Sequence, residues 1–265
     1  MKHFIIGSGW KMNNTIKESL ALIDELEDLL GGFDELPLYV LPSFTALAAV
    51  GERLRGRHIK FGAQNMHWAE TGAYTGEVSA AMLTEVGCSY VELNHHERRT
   101  LFGETNETTN KKIHTALRHG LMPILCVGEE ERLEEAEAFR VLTLQLEELL
   151  AGVEAKDAAG ILYAYEPRWA IGKTAAAPPD YINWIHGLFR KILGNMYSPE
   201  IAEASYILYG GSVNKDNAMD IARKDQVNGL FIGRAGLDAA SFAEIILNTV
   251  IYLRRDNHEN CYRGR

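Results

Sequence analysis

The sequence predicts an α/β protein built as a single-domain (β/α)8 barrel. Three observations carry that prediction. Apolar strand-like runs alternate along the chain with helix-like segments, and the runs number eight. They are apolar almost throughout instead of alternating with polar residues, as expected of parallel strands covered on both faces. The length of 265 residues suits a barrel of this kind, which uses about 250 as one domain. A doubly wound open sheet is the alternative, weakened because no G-x-G-x-x-G follows the first run.

The runs are Phe4–Ile6, Leu38–Leu41, His58–Gly62, Tyr90–Leu93, Met122–Val127, Ile161–Glu166, Tyr206–Tyr209 and Leu230–Ile232. Between them lie helices with recognisable starts. Thr15-Ile16-Lys17-Glu18 forms a capping box before LALIDELEDLL, which Gly31 closes. Ser43 opens FTALAAVGERL, and Asn106 opens a helix that ends near Gly120. Glu131–Leu150 is long and amphipathic, Pro179 starts another helix, and Asp216 and Ser241 start the last two. The barrel is expected over residues 1–253, and the polar stretch 254–265 is expected to fray. The loop Gln64–Ser79 is long for its position and carries Met66, Trp68 and Tyr74, which suggests burial against a partner chain.

Composition excludes several function classes. Hydrophobic residues make up 46% and charged residues 24%, an ordinary globular balance. No apolar run approaches the roughly 18 residues of a membrane span, and the apolar start is too short for a signal peptide. Cys88, Cys126 and Cys261 cannot all pair and lack metal-ligand spacing, which fits a reducing cytoplasm and no metal. The net charge of −9 argues against a nucleic-acid partner. An anionic ligand then needs Lys, Arg or helix N-termini gathered at one place.

In this fold the chemistry sits at the C-terminal ends of the strands. Glu166 ends the sixth run, and Pro167 cannot extend the ladder beyond it. The apolar segment Arg168–Gly172 follows and could close over the acid, making Glu166 a candidate general base. Lys11, after Trp10, is a candidate clamp for an anion, and His95 could polarise a carbonyl as a neutral imidazole if a helix N-terminus lowers its pKa. Glu97 and Arg98 are read as partners that hold these groups, with a structural salt bridge as the plainer possibility. Glycine-containing turns after the seventh and eighth runs, Gly210-Gly211-Ser212 and Gly233-Arg234, suit a phosphate, because backbone N–H groups can approach an anion where no Cβ intervenes. Cys126 is expected only to pack.

Taken together, GWKMN, FGAQN, YTGE, HxERR, FGET, CVGE, YEPxWAIG, LYGGSV and GLFIG, in that order, resemble the triosephosphate isomerase family over nearly the whole chain. The resemblance implies the TIM barrel, Glu166 as base, His95 as electrophile and Lys11 as electrostatic anchor. It also implies Gly172, Ser212 and Gly233 as phosphate binders. No cofactor is implied. A homodimer is, with Thr75 on the long loop reaching the partner's active site. The family is itself the reference case of an acid–base pair tuned by its surroundings.

Departures from the family pattern fall at Gly9, where Asn is usual, at Asn94 and His96, where Gly and Ser are usual, and at Arg168 and Arg234. The lid's far hinge differs as well, with KTAAAPP following Gly172. Gly9, QNMHWAETGAYTGE and GLFIGR resemble a paralogous branch, the L-erythrulose 1-phosphate isomerases, which convert that ketose to D-erythrulose 4-phosphate. Gly9 would then open space for a fourth carbon, His96 would meet its hydroxyl, and Arg234 would contact the phosphate. Triosephosphate isomerase activity proper is the alternative, and a catalytically degenerate sugar-phosphate binder is a third possibility.

Overall fold

The structure is a computed structural model that describes residues 3–173 and 175–263, without the side chains from residue 255 onward. The elements run β1 (Ile5–Gly9), α1 (Ile16–Leu30), β2 (Leu38–Leu41), α2 (Leu47–Arg53), β3 (Lys60–Ala63), α3 (Ala80–Glu85), β4 (Tyr90–Leu93), α4 (His96–Phe102) and α5 (Asn106–Arg118). They continue with β5 (Met122–Val127), α6 (Glu135–Leu149), α7 (Ala155–Ala158), β6 (Leu162–Tyr165), α8 (Pro179–Met196), α9 (Pro199–Ala204), β7 (Tyr206–Tyr209), α10 (Ala218–Ala222), β8 (Gly229–Ile232) and α11 (Ala239–Arg263). All pairings are parallel, and the sheet closes in sequence order, with Ile5 of β1 opposite Gly229 of β8. This is the expected (β/α)8 barrel.

Two apolar layers hold it. Inside the barrel, Tyr39, Tyr90, Ile124, Leu162, Leu208 and Phe231 interdigitate. Between the strands and the helix ring lies the larger core, with Ile23, Leu26, Leu142, Leu146 and Phe189 among its fully buried members. Each such side chain contributes about 1.5–3 kcal/mol on burial, so the helices stay on the barrel chiefly by their apolar stripes.

Several helix starts differ from the sequence expectation for local reasons. The capping box at Thr15 and the left-handed stop at Gly31 form as predicted. Helix α6 begins at Glu135, not Glu131, because the Tyr181 hydroxyl engages the backbone of Leu133 and keeps that turn out of the helix. Asn214 Oδ1 accepts from the backbone N–H of Asp216 and Asn217, making an Asx turn that delays α10 to Ala218. Asp238 accepts from Ser241 N, so the aspartate, and not Ser241, starts α11. That helix carries on to Arg263, into the segment expected as a polar tail. Met66 turns inward and is fully buried within its own chain, so of the three large residues on the long loop only Tyr74 is exposed. No helix among the described residues is long and apolar enough to cross a membrane.

Candidate active site

A cleft of about 750 Å³ opens at the C-terminal ends of the strands. Strand β6 stops at Tyr165, and Glu166 N donates to Val127 O at 2.9 Å, which fixes the acid at the rim of β5 and β6. Its carboxyl is buried, and burial raises its pKa to about 7 against the opposing pull of Lys11. Gly210 makes room for it. A Cβ there would stand 2.8 Å from Glu166 Cγ and 3.0 Å from Oε1. The Gly-Gly turn read from the sequence as a phosphate loop thus also shapes the seat of the base.

His95 caps α4. Its Nδ1 accepts from Glu97 N at 3.2 Å, and a backbone N–H can only donate, so the ring proton of the neutral imidazole sits on Nε2. Burial, then the Lys11 charge, then His96 hold the His95 pKa well below the ordinary value. The sequence pointed to a helix N-terminus as the cause; here burial leads, and the helix contributes the hydrogen bond that sets the tautomer. Nε2 lies 3.7 Å from Glu166 Oε2 and 3.4 Å from Lys11 Nζ, the latter in this tautomer a contact between two donors and not a hydrogen bond. Three groups expected to act together therefore converge, with a hydrogen-bond donor and a base facing one space.

Lys11 adopts a positive φ of 52°, a conformation that costs a non-glycine residue about 1–3 kcal/mol. Gln64 holds it there by donating to Lys11 O at 2.9 Å and Leu41 O at 2.8 Å. Lys11 Nζ meets Glu97 Oε1 at 2.6 Å in a half-exposed salt bridge, the plainer of the two possibilities for this residue. Arg98 pairs with Glu104 at 3.1 Å, and Glu104 also binds the buried Lys112, so Arg98 braces the scaffold and does not line the cleft.

Asn94, where the family pattern has glycine, sits at φ 66°. Asn tolerates that region. Its Nδ2 donates to Cys126 O at 2.7 Å while its Oδ1 accepts from Arg99 at 2.7 Å, tying β4 to β5. His96 lies tilted on His95 with ring centroids 4.3 Å apart and lines the cleft. Gly9 lines the cleft, and a Cβ there would stand 3.1 Å from Phe231 Cζ, so a side chain at this position would press on the Phe231 ring.

The other end of the cleft is lined by Gly172, Lys173, Ser212, Gly233 and Arg234. With Lys11, these cations gather local positive charge on an acidic protein, as an anion requires. The Ser212 hydroxyl donates to Ala170 O at 2.8 Å and Lys173 O at 3.0 Å, so this predicted phosphate residue also ties down the lid. Arg168–Ala170 forms a 3-10 turn. Ile171 lines the cleft, while the Trp169 indole turns away and donates to Glu129 Oε1 at 2.9 Å. Tyr165 at 2.7 Å and Tyr181 at 3.2 Å donate to the same oxygen. Arg168 binds Glu130 and Thr100. Thr174, in the changed hinge, lies outside the described residues. Thr75 is exposed and does not line its own chain's cleft.

Sequence reasoning missed Glu129 as the lid's anchor and Glu92 as part of the cleft wall. Glu92 was legible: it is the one charged residue of the run Tyr90–Leu93 and shares an alternate position with Tyr90.

A family profile described as "Triosephosphate isomerase" matches residues 4–249. The chain is 42% identical over 247 residues to a triosephosphate isomerase of Dictyoglomus thermophilum, covering 93% of this chain and 99% of the relative. It is 42% identical over 243 residues to that of Aquifex aeolicus, covering 91% and 98%. A crystal structure of triosephosphate isomerase from Bartonella henselae superposes with a TM-score of 0.80 at 34% identity, covering 92% of this chain and 98% of that one.

Proposed function

The chain belongs to the triosephosphate isomerase family, and from that premise we propose that it interconverts D-glyceraldehyde 3-phosphate and dihydroxyacetone phosphate. It is an aldose–ketose isomerase and needs no cofactor. The observation that carries the proposal is the facing pair Glu166 and His95, a buried carboxyl at about 7 opposite a neutral imidazole whose Nε2 holds the proton.

The Glu166 carboxylate takes the proton from the carbon beside the carbonyl. The electron pair moves onto the carbonyl oxygen, giving a cis-enediolate, and His95 Nε2–H and the Lys11 ammonium stabilise that developing charge. His95 gives its Nε2 proton to that oxygen and takes up the hydroxyl proton of the neighbouring oxygen, and Glu166 returns its own proton to the neighbouring carbon, so a carbonyl and a hydroxyl have exchanged places and no net proton is lost. Gly172, Ser212, Gly233 and Arg234 hold the phosphate, and Ile171 covers the reacting carbons against water. The four-carbon reading favoured from the sequence, built on Gly9 and His96, gives way here to its three-carbon alternative, because the similar proteins carry the triosephosphate isomerase name.

A homodimer is part of the same proposal. Met12, Tyr74, Met82 and Phe102 leave large apolar side chains exposed, and Thr75 stands on the loop that carries Tyr74. Sedimentation is expected to give twice the chain mass. The reaction is tested with both triose phosphates in deuterated water: the expected result is turnover with deuterium entering the substrate carbon. Phosphate binding without exchange would leave only a binding barrel and overturn the proposal.

A further inference from the structure

The reaction above uses Glu166, His95 and Lys11 and leaves one buried acid in the cleft without a task. Glu92 stands on β4, on the interior side that Tyr90 shares. The Tyr90 ring packs on Tyr39 inside the barrel with centroids 4.9 Å apart, and Glu92 lies one layer nearer the cleft, which it lines. It is only 7% exposed. Interior layers of such barrels are dominated by apolar side chains, and a carboxyl there is costly unless it is hydrogen-bonded or used.

No lysine or arginine among the described residues forms an ion pair with it; its polar neighbours are of another kind. The Cys126 thiol donates to Glu92 Oε1 at 3.8 Å. Polar atoms of Glu92, Cys126 and Glu166 all lie within 4.8 Å of one another. The other oxygen, Oε2, stands 3.9 Å from the place a Cβ on Gly9 would take, so it lies next to Gly9 on the cleft wall. Among the described residues, the buried Tyr39 hydroxyl and Glu166 Oε2 lack hydrogen-bond partners. Two carboxyls this close do not both ionise. Burial first, and the Glu166 charge second, hold the Glu92 carboxyl well above the ordinary range, which favours the neutral acid, a group that gives one hydrogen bond while accepting another. In the closed eight-strand order β4 lies across the barrel from β8, which leads into Gly233 and Arg234. Glu92 clusters with Glu166, the base of the proposed reaction, so the reacting end of a substrate is the end within its reach.

We propose that Glu92 is a specificity-determining residue whose carboxyl hydrogen-bonds the terminal oxygen at the unphosphorylated end of the substrate, the hydroxyl of the ketose and the aldehyde oxygen of the aldose. The claim rests on the isomerase function given above and adds to it a preference for sugar phosphates that carry oxygen on that terminal carbon. A site built to hydrogen-bond a hydroxyl rejects an analogue without one far more strongly than an apolar pocket does.

The test compares two unreactive competitors, glycerol 3-phosphate and 1,2-propanediol 1-phosphate, which differ by the terminal hydroxyl, with inorganic phosphate as the control for the far end. Wild type is expected to prefer glycerol phosphate by about tenfold. Glu92→Leu is expected to reduce that preference to about twofold or less, and Glu92→Gln, which keeps a donor and an acceptor, to retain most of it. Inhibition by inorganic phosphate is expected to stay the same in all three. Glu92→Asp, which draws the acid back by one carbon, is the second loss-of-contact variant if Glu92→Leu folds poorly. No preference in wild type, or full preference retained in either loss-of-contact variant, overturns the inference. Wild-type turnover of D-glyceraldehyde 3-phosphate, measured on the same preparation, judges the isomerase function separately, because the competitor comparison needs no turnover.

Discussion

The two ends of the cleft are built in opposite ways. At the reacting end, Glu166 is 5% exposed and His95 7%, and both are positioned through backbone hydrogen bonds at the edge of a strand or helix. At the end proposed to hold the phosphate, Gly172 and Arg234 are exposed and stand on loops and short turns. Burial lets small displacements and single charges shift pKa values strongly, whereas exposed charges act through screened attraction. Substitutions at the reacting end should therefore appear in kcat, and those at the phosphate end in KM and salt dependence.

The largest effect is expected at the base. Glu166→Asp pulls the carboxylate back from the substrate carbon and is expected to lower kcat by about 10³, within the range general bases contribute. Inhibition by inorganic phosphate should not change; equal loss of both would erase the division between the two ends. Because burial raises the Glu166 pKa to about 7, kcat/KM is expected to climb with pH through that value as the base ionises. The sign for stability is the reverse. The unfolded chain releases this proton near the ordinary 4.5 and the folded chain near 7, so stability contributed by the group is lost as pH rises between the two. Glu166→Gln removes that loss and is expected to stabilise the protein above pH 7, by at most about 3 kcal/mol, and by nothing near pH 4. Thermal melts at the two pH values check it.

Next comes the seat of the base. A methyl at Gly210 would press on Glu166 Cγ at 2.8 Å, so Gly210→Ala is expected to displace the carboxylate and lower kcat by about 10- to 100-fold. Phosphate affinity should hold, although the residue belongs to the turn of the phosphate end. A change in phosphate affinity alone would return Gly210 to that end and blur the comparison.

How far the sequence reached follows the same division. The barrel was legible because apolar runs are local signals, and the strand ends singled out Glu166, His95 and Lys11, which the structure brings together, His95 Nε2 lying 3.7 Å from Glu166 and 3.4 Å from Lys11. Their surroundings were not. That Gly9 answers the bulk of Phe231 depends on two residues 222 positions apart meeting inside the barrel. The part Gly210 plays depends on the side-chain direction of Glu166, and the Glu129 anchor on three hydroxyl and indole donors from β6, the lid and α8. Arg98 looked like a partner of the site by proximity in sequence, yet its helical position turns it to Glu104.

Glu129 joins the two ends, since its oxygen holds Trp169 of the lid against Tyr165 and Tyr181. Glu129→Ala takes the acceptor from Tyr165 and Trp169, while Tyr181 keeps Leu133 O at 3.4 Å, and is expected to cost about 1–3 kcal/mol of stability. It should also lower kcat and raise KM together, as lid-hinge changes do. Denaturant melts and steady-state kinetics separate the two effects. A stability loss with unchanged kinetics would mean that the lid closes without its anchor.

The smallest effect is expected at Arg234, and it tests the comparison from the exposed side. The guanidinium suits a phosphate by geometry and charge, and it lines the cleft at the start of the turn after β8. It is exposed, so water and ions share its field, and exposed charge pairs are worth about 0–1 kcal/mol. Arg234→Ala is therefore expected to raise KM by no more than about fivefold with kcat nearly unchanged, and the difference from wild type should shrink as salt rises from about 0.05 to 0.5 M, where the screening length falls from above 10 Å to below 8 Å. A large fall in kcat that salt does not diminish would place Arg234 with the buried groups and break the division, because only a desolvated contact made in the transition state behaves that way.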